Sequence, residues 1–133
     1  MHKKIFIVED EIVVANDIRQ ILNKNNFYVT GVATKYEQAV CGIKKEKPDL
    51  VLCDIRLREE KSGIELMQEL SENMCFKIIF ISAYSDIETI EKANLVNPFN
   101  YLTKPFNDQQ LVTSVRLALM SANFRRNRKT KQA

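Results

Sequence analysis

Short apolar runs that alternate with amphipathic segments constrain the fold of this chain more than any other feature. Runs of this length, rich in β-branched and aromatic side chains, are typical of strands buried on both faces of a sheet. Three clear runs, one weaker run (Phe27–Val32) and a fifth candidate (Phe99–Leu102) occur in the order Ile5–Val8, Phe27–Val32, Leu50–Cys53, Ile78–Ile81 and Phe99–Leu102. The sequence therefore predicts five short strands.

Each predicted strand is followed by a segment whose apolar residues recur with helical spacing. The five stripes are Val14, Ile18, Ile21 and Leu22; Tyr36, Ala39, Val40 and Ile43; Ile64, Met67 and Leu70; Ile87, Ile90 and Ala93; and Leu111, Val115, Ala118, Leu119 and Ala122. Strands that alternate with helices form parallel sheets through right-handed crossovers. We therefore predict an α/β fold in which five helices cover both faces of a parallel sheet.

The composition excludes several classes of protein. A chain of 133 residues fits one domain, and no stretch reaches the roughly 18 consecutive apolar residues of a membrane span. The short segment Met1–Lys4 and the first strand are too brief for a secretory signal, so we expect a cytoplasmic protein. Cys41, Cys53 and Cys75 form no CxxC pair, and His2 is the only histidine. This pattern indicates reduced thiols and argues against a zinc site.

Charge is distributed unevenly along the chain. Of the 20 basic residues, five lie in residues 124–133, which leaves 15 basic against 17 acidic residues in the rest. We therefore predict a domain over residues 1–123, followed by a basic tail or linker stub over residues 124–133. Such tails are more often solvated linkers than nucleic-acid contacts.

Polar side chains follow the predicted strands, and ligands of open parallel sheets bind beyond the carboxyl ends of the strands. These residues are Glu9 and Asp10 after the first strand, Asp54 after the third, Ser82 after the fourth and Lys104 after the fifth. Neighbouring carboxylates repel one another, and a hard cation such as Mg²⁺ relieves that repulsion. The pattern predicts a phosphoryl-transfer site with Asp54 as nucleophile, while Lys104 and Ser82 contact phosphoryl oxygens.

Four local strings carry a family resemblance, and each ends a predicted strand. They are IFIVEDE, PDLVLCDIRL, IIFISAY and YLTKPF. Over residues 3–122 the chain resembles the receiver domain of two-component response regulators. The resemblance implies a flavodoxin-like, doubly wound sheet of five parallel strands in the order 2-1-3-4-5 with five helices. It also implies a phosphorylation-dependent switch in a phosphorelay, rather than an enzyme that turns over small substrates.

The resemblance further implies a role for each residue at the site. Asp54 would accept a phosphoryl group from a sensor histidine kinase or a phosphotransfer protein. Asp10 and Asp54 would bind Mg²⁺ through carboxylate oxygens, with the backbone carbonyl of Arg56 as a third ligand. Glu9 would act through a metal-bound water. Lys104 would stabilise the transferred group, and the peptide bond that precedes Pro105 would be cis, which helps to aim the lysine.

A switch and its partners are implied in the same way. Ser82 would swing towards the phosphoryl group, and Tyr101 would rotate inwards behind it. The fourth helix, fifth strand and fifth helix would form the output surface, read by a downstream effector domain or protein. Nucleic acid would be bound only through such an output domain, and a weak homodimer is one open arrangement. No contact with a membrane is expected.

Some positions depart from the commonest receiver pattern. Position 58 is Arg, where many receivers have Pro. Many receivers also place a glycine eight residues after the phosphorylated Asp, whereas here Gly63 lies nine residues after Asp54. We therefore expect the loop over residues 56–62 to be one residue longer and more mobile. Asn100 replaces the Asp of one dimerising subgroup. Arg56 and Tyr84, each two residues beyond a site residue, are expected to slow autodephosphorylation by hindering the attacking water.

Three alternative functions remain open from the sequence. A haloacid-dehalogenase-type hydrolase usually reads Asp-x-Asp, whereas this chain reads Asp54-Ile55-Arg56. A flavodoxin-like cofactor binder fits poorly, because the acidic loop after the first strand would repel phosphate. The third alternative is a receiver that signals without phosphorylation. Each residue alone also has an interpretation without a functional role. Asp54 could cap a helix, Lys104 could be a surface lysine, and Tyr101 could be a half-buried aromatic residue of a strand.

Overall fold

A computed structural model describes residues 2–57, 61–83 and 87–121 of the chain. Strands and helices alternate throughout these residues, and every pair of neighbouring strands is parallel. The strands are β1 (Lys4–Val8), β2 (Tyr28–Ala33), β3 (Leu50–Asp54), β4 (Lys77–Ser82) and β5 (Asn100–Thr103). The helices are α1 (Ile12–Lys24), α2 (Tyr36–Glu46), α3 (Gly63–Ser71), α4 (Ile87–Asn94) and α5 (Asp108–Met120). The sheet order β2-β1-β3-β4-β5 confirms the predicted fold class.

The central strands are apolar except at their ends, because they bury both faces. Along β1, Ile5 and Ile7 join a core under α1 and α5, whereas Phe6 and Val8 join a second core under α2, α3 and α4. Alternate side chains of a strand point to opposite faces of the sheet, so one continuous run supplies both cores. The sheet is therefore a rigid support for the loops at its carboxyl edge.

The two helices that follow the third and fifth strands begin with matching capping boxes. The side chains of Ser62 and Glu65 bond reciprocally to backbone amides at the start of α3. Asn107 and Gln110 do the same at the start of α5. Such boxes satisfy amides that the helix itself leaves without partners. They fix where the chain re-enters a helix after each of these strands.

Helix α4 differs from the predicted pattern. Ala93 is buried and Ile90 is half-buried, but Ile87 is 74% exposed, so the prediction of a buried stripe through Ile87 is wrong. The helix has only eight residues, and Ala93 is the only one of them that is buried. Ala122, the last residue of the predicted fifth stripe, lies outside the described residues.

Other predictions concern loops, cysteines and membranes. Cys41 is exposed, Cys53 is buried, and both are free thiols, as is Cys75. The expected longer, mobile loop after β3 includes residues 58–60, which lie outside the described residues. The tail over residues 124–133 lies outside them as well. Among the described helices, none combines the length and apolar character that a membrane crossing requires.

A buried lysine fixes the end of α5. Lys77, at the start of β4, is only 8% exposed. Its ammonium donates to the carbonyl oxygens of Ala118 (2.6 Å) and Ser121 (2.5 Å) and to the Ser121 hydroxyl (2.8 Å). A cation at a helix C-terminus is favourable, because the last carbonyls carry partial negative charge. Lys77 therefore ties the last turn of α5 to the sheet.

We predict that Lys77→Met lowers the free energy of unfolding by about 1–2 kcal/mol, since carbonyls of the last turn lose their donor. Amide hydrogen exchange over residues 117–121 should accelerate more than exchange in β4. Urea unfolding and exchange mass spectrometry measure these effects. The exposed Lys45→Met is the charge-matched control and should cost less than about 0.5 kcal/mol. Unchanged exchange in α5 would contradict the anchoring role of Lys77.

Candidate functional site

Three carboxylates meet where β1 and β3 end. Glu9 and Asp10 follow β1, and Asp54 is the last residue of the adjacent strand β3. One carboxylate oxygen from each of these residues lies within 4.8 Å of the other two. Glu9 is fully buried and Asp54 is 4% exposed, whereas Asp10 is half-buried. The topology therefore brings the predicted acidic residues together at one edge of the sheet.

Lys104 supplies the positive charge of this cluster. It follows β5, and its Nζ lies 2.8 Å from Glu9 Oε1 and 2.9 Å from Asp54 Oδ2. The side chain of Lys104 is 22% exposed, so these ion pairs are largely shielded from water. Charge-assisted hydrogen bonds of this length are stronger than neutral ones. The lysine thus links the end of β5 to the ends of β1 and β3.

Backbone amides hold the second oxygen of each buried carboxylate. The Arg56 N–H donates to Asp54 Oδ1 (3.0 Å), and the Glu11 N–H donates to Glu9 Oε2 (3.1 Å). Each carboxylate therefore has one oxygen towards the lysine and one towards a backbone amide. Both carboxylates are consequently fixed in orientation as well as in position.

The proximity of these groups shifts their protonation equilibria. Burial raises the pKa of Glu9 to about 7; the Asp54 charge also raises it, and the hydrogen bond from Lys104 opposes the rise. For Lys104, burial acts to lower the pKa, but the bonds to Glu9 and Asp54 outweigh burial and leave the pKa raised. Lys104 therefore stays an ammonium at neutral pH, while Glu9 is close to its titration point.

An open cleft of about 360 Å³ lies over these groups. It is lined by Asp10, Glu11, Asp54, Arg56, Leu57, Ala83 and Lys104. Oxygen donors beside a fixed ammonium suit a hard divalent cation and a small anionic group. The cleft can therefore accommodate a phosphoryl group beside Asp54.

Gly63 allows α3 to begin directly against Asp54. A Cβ atom at this position would lie 2.1 Å from the backbone oxygen of Asp54 and 2.8 Å from Cys53 Sγ. The Gly63 N–H also donates to the Ile55 carbonyl (2.7 Å). Any larger residue at position 63 would displace the backbone of Asp54. The glycine therefore allows the close approach of α3 to Asp54, although it lies nine residues further along the chain.

Of the two predicted switch residues, Ser82 is linked to Lys104 of this cluster, whereas Tyr101 contacts α4. Ser82 is buried at the end of β4, and its carbonyl accepts a hydrogen bond from the Lys104 N–H (2.8 Å). Tyr101 is half-buried on β5, and its hydroxyl donates to the Asn94 side chain of α4. The Lys104–Pro105 peptide bond is cis. Tyr84 lies outside the described residues, so its expected effect on hydrolysis stays a prediction.

Sequence reasoning missed two kinds of contact. The amides of Glu11 and Arg56 carry no signal in their residue types, because any non-proline residue offers the same donor. Asn94 lies seven residues before Tyr101 in an exposed helix turn, and its spacing fits no motif. Only the three-dimensional arrangement brings these groups to their partners.

The fold and the acidic cluster with its lysine are together typical of a receiver domain. The family model for the response regulator receiver domain matches residues 5–116, and the chain belongs to this family. The signal receiver domain of a modulated diguanylate cyclase from Desulfovibrio desulfuricans G20 superposes with a TM-score of 0.82 at 34% identity. That comparison covers 90% of this chain and 94% of the other.

Curated relatives differ in how much of their length this chain spans. The transcriptional regulatory protein PdtaR of Mycobacterium tuberculosis is 27% identical over 117 residues, which are 88% of this chain and 57% of PdtaR. Sporulation initiation phosphotransferase F of Bacillus subtilis is 29% identical over 119 residues, which are 87% of this chain and 93% of that protein. The chain spans about half the length of the first curated relatives it matches.

We predict that stability of the metal-free protein depends on Glu9 between about pH 4.5 and pH 7. Because the folded state raises the pKa, it holds a proton that the unfolded chain releases, so stability falls as pH rises through this window. Relative to Glu9→Gln, the wild type should lose on the order of 2 kcal/mol across it. Urea unfolding at several pH values with chelator present measures the difference. The exposed Glu91→Gln is the control, and a pH-independent difference for Glu9→Gln would refute the prediction.

Proposed function

We propose that this domain is a phosphorylation switch that accepts a phosphoryl group on Asp54 in a Mg²⁺-dependent reaction. The observation that carries the proposal is the Lys104 ammonium, held 2.9 Å from Asp54 Oδ2 beside two further carboxylates. A lysine that only balanced surface charge would remain in solvent and would not form an ion pair with a buried aspartate. Membership of the receiver family supports the same function.

The acidic cluster fits the proposed cation. Carboxylate oxygens within 4.8 Å of one another are the donor type that Mg²⁺ prefers. Asp10 and Asp54 would hold the ion, together with the Arg56 carbonyl, and Glu9 would act through a water. When bound, the ion neutralises the cluster and shields the negative charge of an incoming phosphoryl group.

The residues of this chain then have distinct roles in the transfer. A carboxylate oxygen of Asp54 attacks phosphorus, and the nitrogen–phosphorus bond of a phosphohistidine donor breaks, with the electron pair leaving on the imidazole. The amide of Arg56 keeps the carboxylate oriented during the attack. Lys104 pairs with a phosphoryl oxygen, and positioning and charge stabilisation of this kind supply most of the catalysis in phosphoryl transfer. The domain therefore assists one transfer to itself and undergoes slow autodephosphorylation, without turning over small substrates.

Ser82 and Tyr101 are the proposed links to the output. The phosphoryl group adds close to two negative charges next to Lys104, whose backbone is bonded to Ser82. We infer that Ser82 moves towards the phosphoryl group. Tyr101 then gives up its hydrogen bond to Asn94 of α4 and rotates inwards behind Ser82. The surface of α4, β5 and α5, which includes a groove of about 690 Å³ beside β5, then changes shape.

The donor is proposed to be a sensor histidine kinase or a phosphotransfer protein, met in the cytoplasm. Sporulation initiation phosphotransferase F, which this chain spans almost completely, supports a place in a phosphorelay. Two regulators, of which the matched residues make up only 57% and 50%, support an effector domain or protein downstream. We accordingly propose residues 1–123 as the receiver and residues 124–133 as a tail or linker.

Phosphorylation of Asp54 can be tested directly. Incubation with acetyl phosphate and Mg²⁺ should add one phosphoryl mass to the wild type, as measured by intact-protein mass spectrometry. Chelation of Mg²⁺ should abolish the gain, and so should Asp54→Asn. The exposed Asp17→Asn is the matched control and should retain it. No gain with Mg²⁺ present would overturn the proposed function while leaving the fold and family unchanged.

The proposed change of the output surface can be tested with a phosphoryl mimic. Beryllofluoride with Mg²⁺ imitates a phosphoryl group and should alter amide exchange in α4 and β5 as well as around Asp54. The change should spread because Tyr101 contacts α4 in the unmodified protein. Hydrogen exchange mass spectrometry of wild type and Asp54→Asn measures it. Changes confined to the loops around Asp54 would contradict the switch model.

A further inference from the structure

Tyr101 is held from two sides in the unmodified domain. Its ring stacks on Phe80 of β4, with centroids 6.3 Å apart and planes inclined by 28°. Its hydroxyl donates to Asn94 Oδ1, with the Ile90 carbonyl as a more distant acceptor at 3.5 Å. Both acceptors belong to α4, so the hydroxyl joins β5 to this helix.

Asn94 lies at a tightly fixed point of the chain. It ends α4, and its carbonyl accepts a hydrogen bond from Asn97 (3.0 Å), which has a left-handed backbone with a φ of 55°. Further along, the Phe99 N–H donates a hydrogen bond to the Ile78 carbonyl of β4 (2.7 Å). Val96, which lies between Asn94 and Asn97, is buried. The segment that follows Asn94 is therefore held to β4, and the Asn94 side chain offers Tyr101 an acceptor.

We propose that Asn94 is a positioning residue that latches Tyr101 to α4 and so favours the unphosphorylated conformation. This inference rests on the proposed function, because it assigns a residue that sets the balance of the same switch. The bond exists only while the hydroxyl of Tyr101 points to α4. Loss of the acceptor therefore destabilises that conformation alone, and the balance moves towards the alternative.

The size of the effect follows from the setting of the bond. A hydrogen bond that water can replace contributes modestly, and Asn94 is exposed while Tyr101 is half-buried. Burial also raises the pKa of Tyr101, so the phenol stays protonated and able to donate at neutral pH. We expect loss of the acceptor to change the ratio of the two conformations by about two- to fivefold.

The test compares wild type, Asn94→Leu and Asn94→Asp, each with tyrosine rings labelled with ¹³C for NMR. Without any phosphoryl mimic, Asn94→Leu should move the Tyr101 ring signal part of the way towards its position in the beryllofluoride complex of the wild type. Titration with beryllofluoride at fixed Mg²⁺ should give a midpoint about two- to fivefold lower for Asn94→Leu. Asn94→Asp keeps an acceptor oxygen and should show a midpoint equal to or above that of the wild type.

A double-mutant comparison separates the latch from a general structural role of Asn94. In a Tyr101→Phe background the hydroxyl is absent, so Asn94→Leu should no longer change the titration midpoint. An equal change in both backgrounds would overturn the proposal. An unshifted Tyr101 signal and midpoint in Asn94→Leu would overturn it as well.

Failure of the proposed function gives a different result. If the wild type does not respond to beryllofluoride, phosphorylation on Asp54 is the idea that fails. The free-protein measurements then still decide whether Asn94 holds Tyr101. A ring signal that is the same in wild type and Asn94→Leu would refute the latch on its own.

Discussion

The ion pairs that Lys104 makes with Glu9 and Asp54 allow two carboxylates to stay buried side by side. Burial and mutual repulsion would otherwise drive one of them towards its protonated form, as the raised pKa of Glu9 already indicates. The sheet order places β4 between β3 and β5, so the lysine must reach past the end of β4. Ala83, the small residue after β4, lines the cleft at that point. Three strand ends are therefore held together by one ammonium group.

The fold could be predicted because the sheet is buried on both sides. In a strand such as β3, where every residue is buried, the four residues before Asp54 are apolar, and that run is visible in the sequence. Prediction failed where burial is partial or where a polar group is buried. The exposed Ile87 on short α4 imitates a core residue, and Lys77 resembles an ordinary surface lysine. The residue type of Lys77 does not indicate that its ammonium binds the carbonyls at the C-terminus of α5, since lysine is usually exposed.

The candidate site was predictable for a different reason. Parallel strands end at one edge, so residues such as Glu9, Asp54 and Lys104 could be placed together from their order along the chain alone. Their mutual orientation could not, because it depends on the amides of Glu11 and Arg56. The close approach of α3 to β3 also depends on backbone geometry. A glycine in the sequence indicates that a side chain is not tolerated or not needed, but it does not tell which backbone atom lies where the Cβ atom would be.

The route from the site to α4 is short, and each of its contacts is polar or aromatic. Lys104 follows β5, the strand that carries Tyr101, and its amide bonds to the last residue of β4, the strand that carries Phe80. A new negative charge on Asp54 would compete with Glu9 for the ammonium, at the very point where these two strands end. Tyr101 is packed against one of these strands and belongs to the other. Under the proposed switch, the hydrogen bond from Tyr101 to Asn94 is the contact through which the added charge would alter the surface of α4.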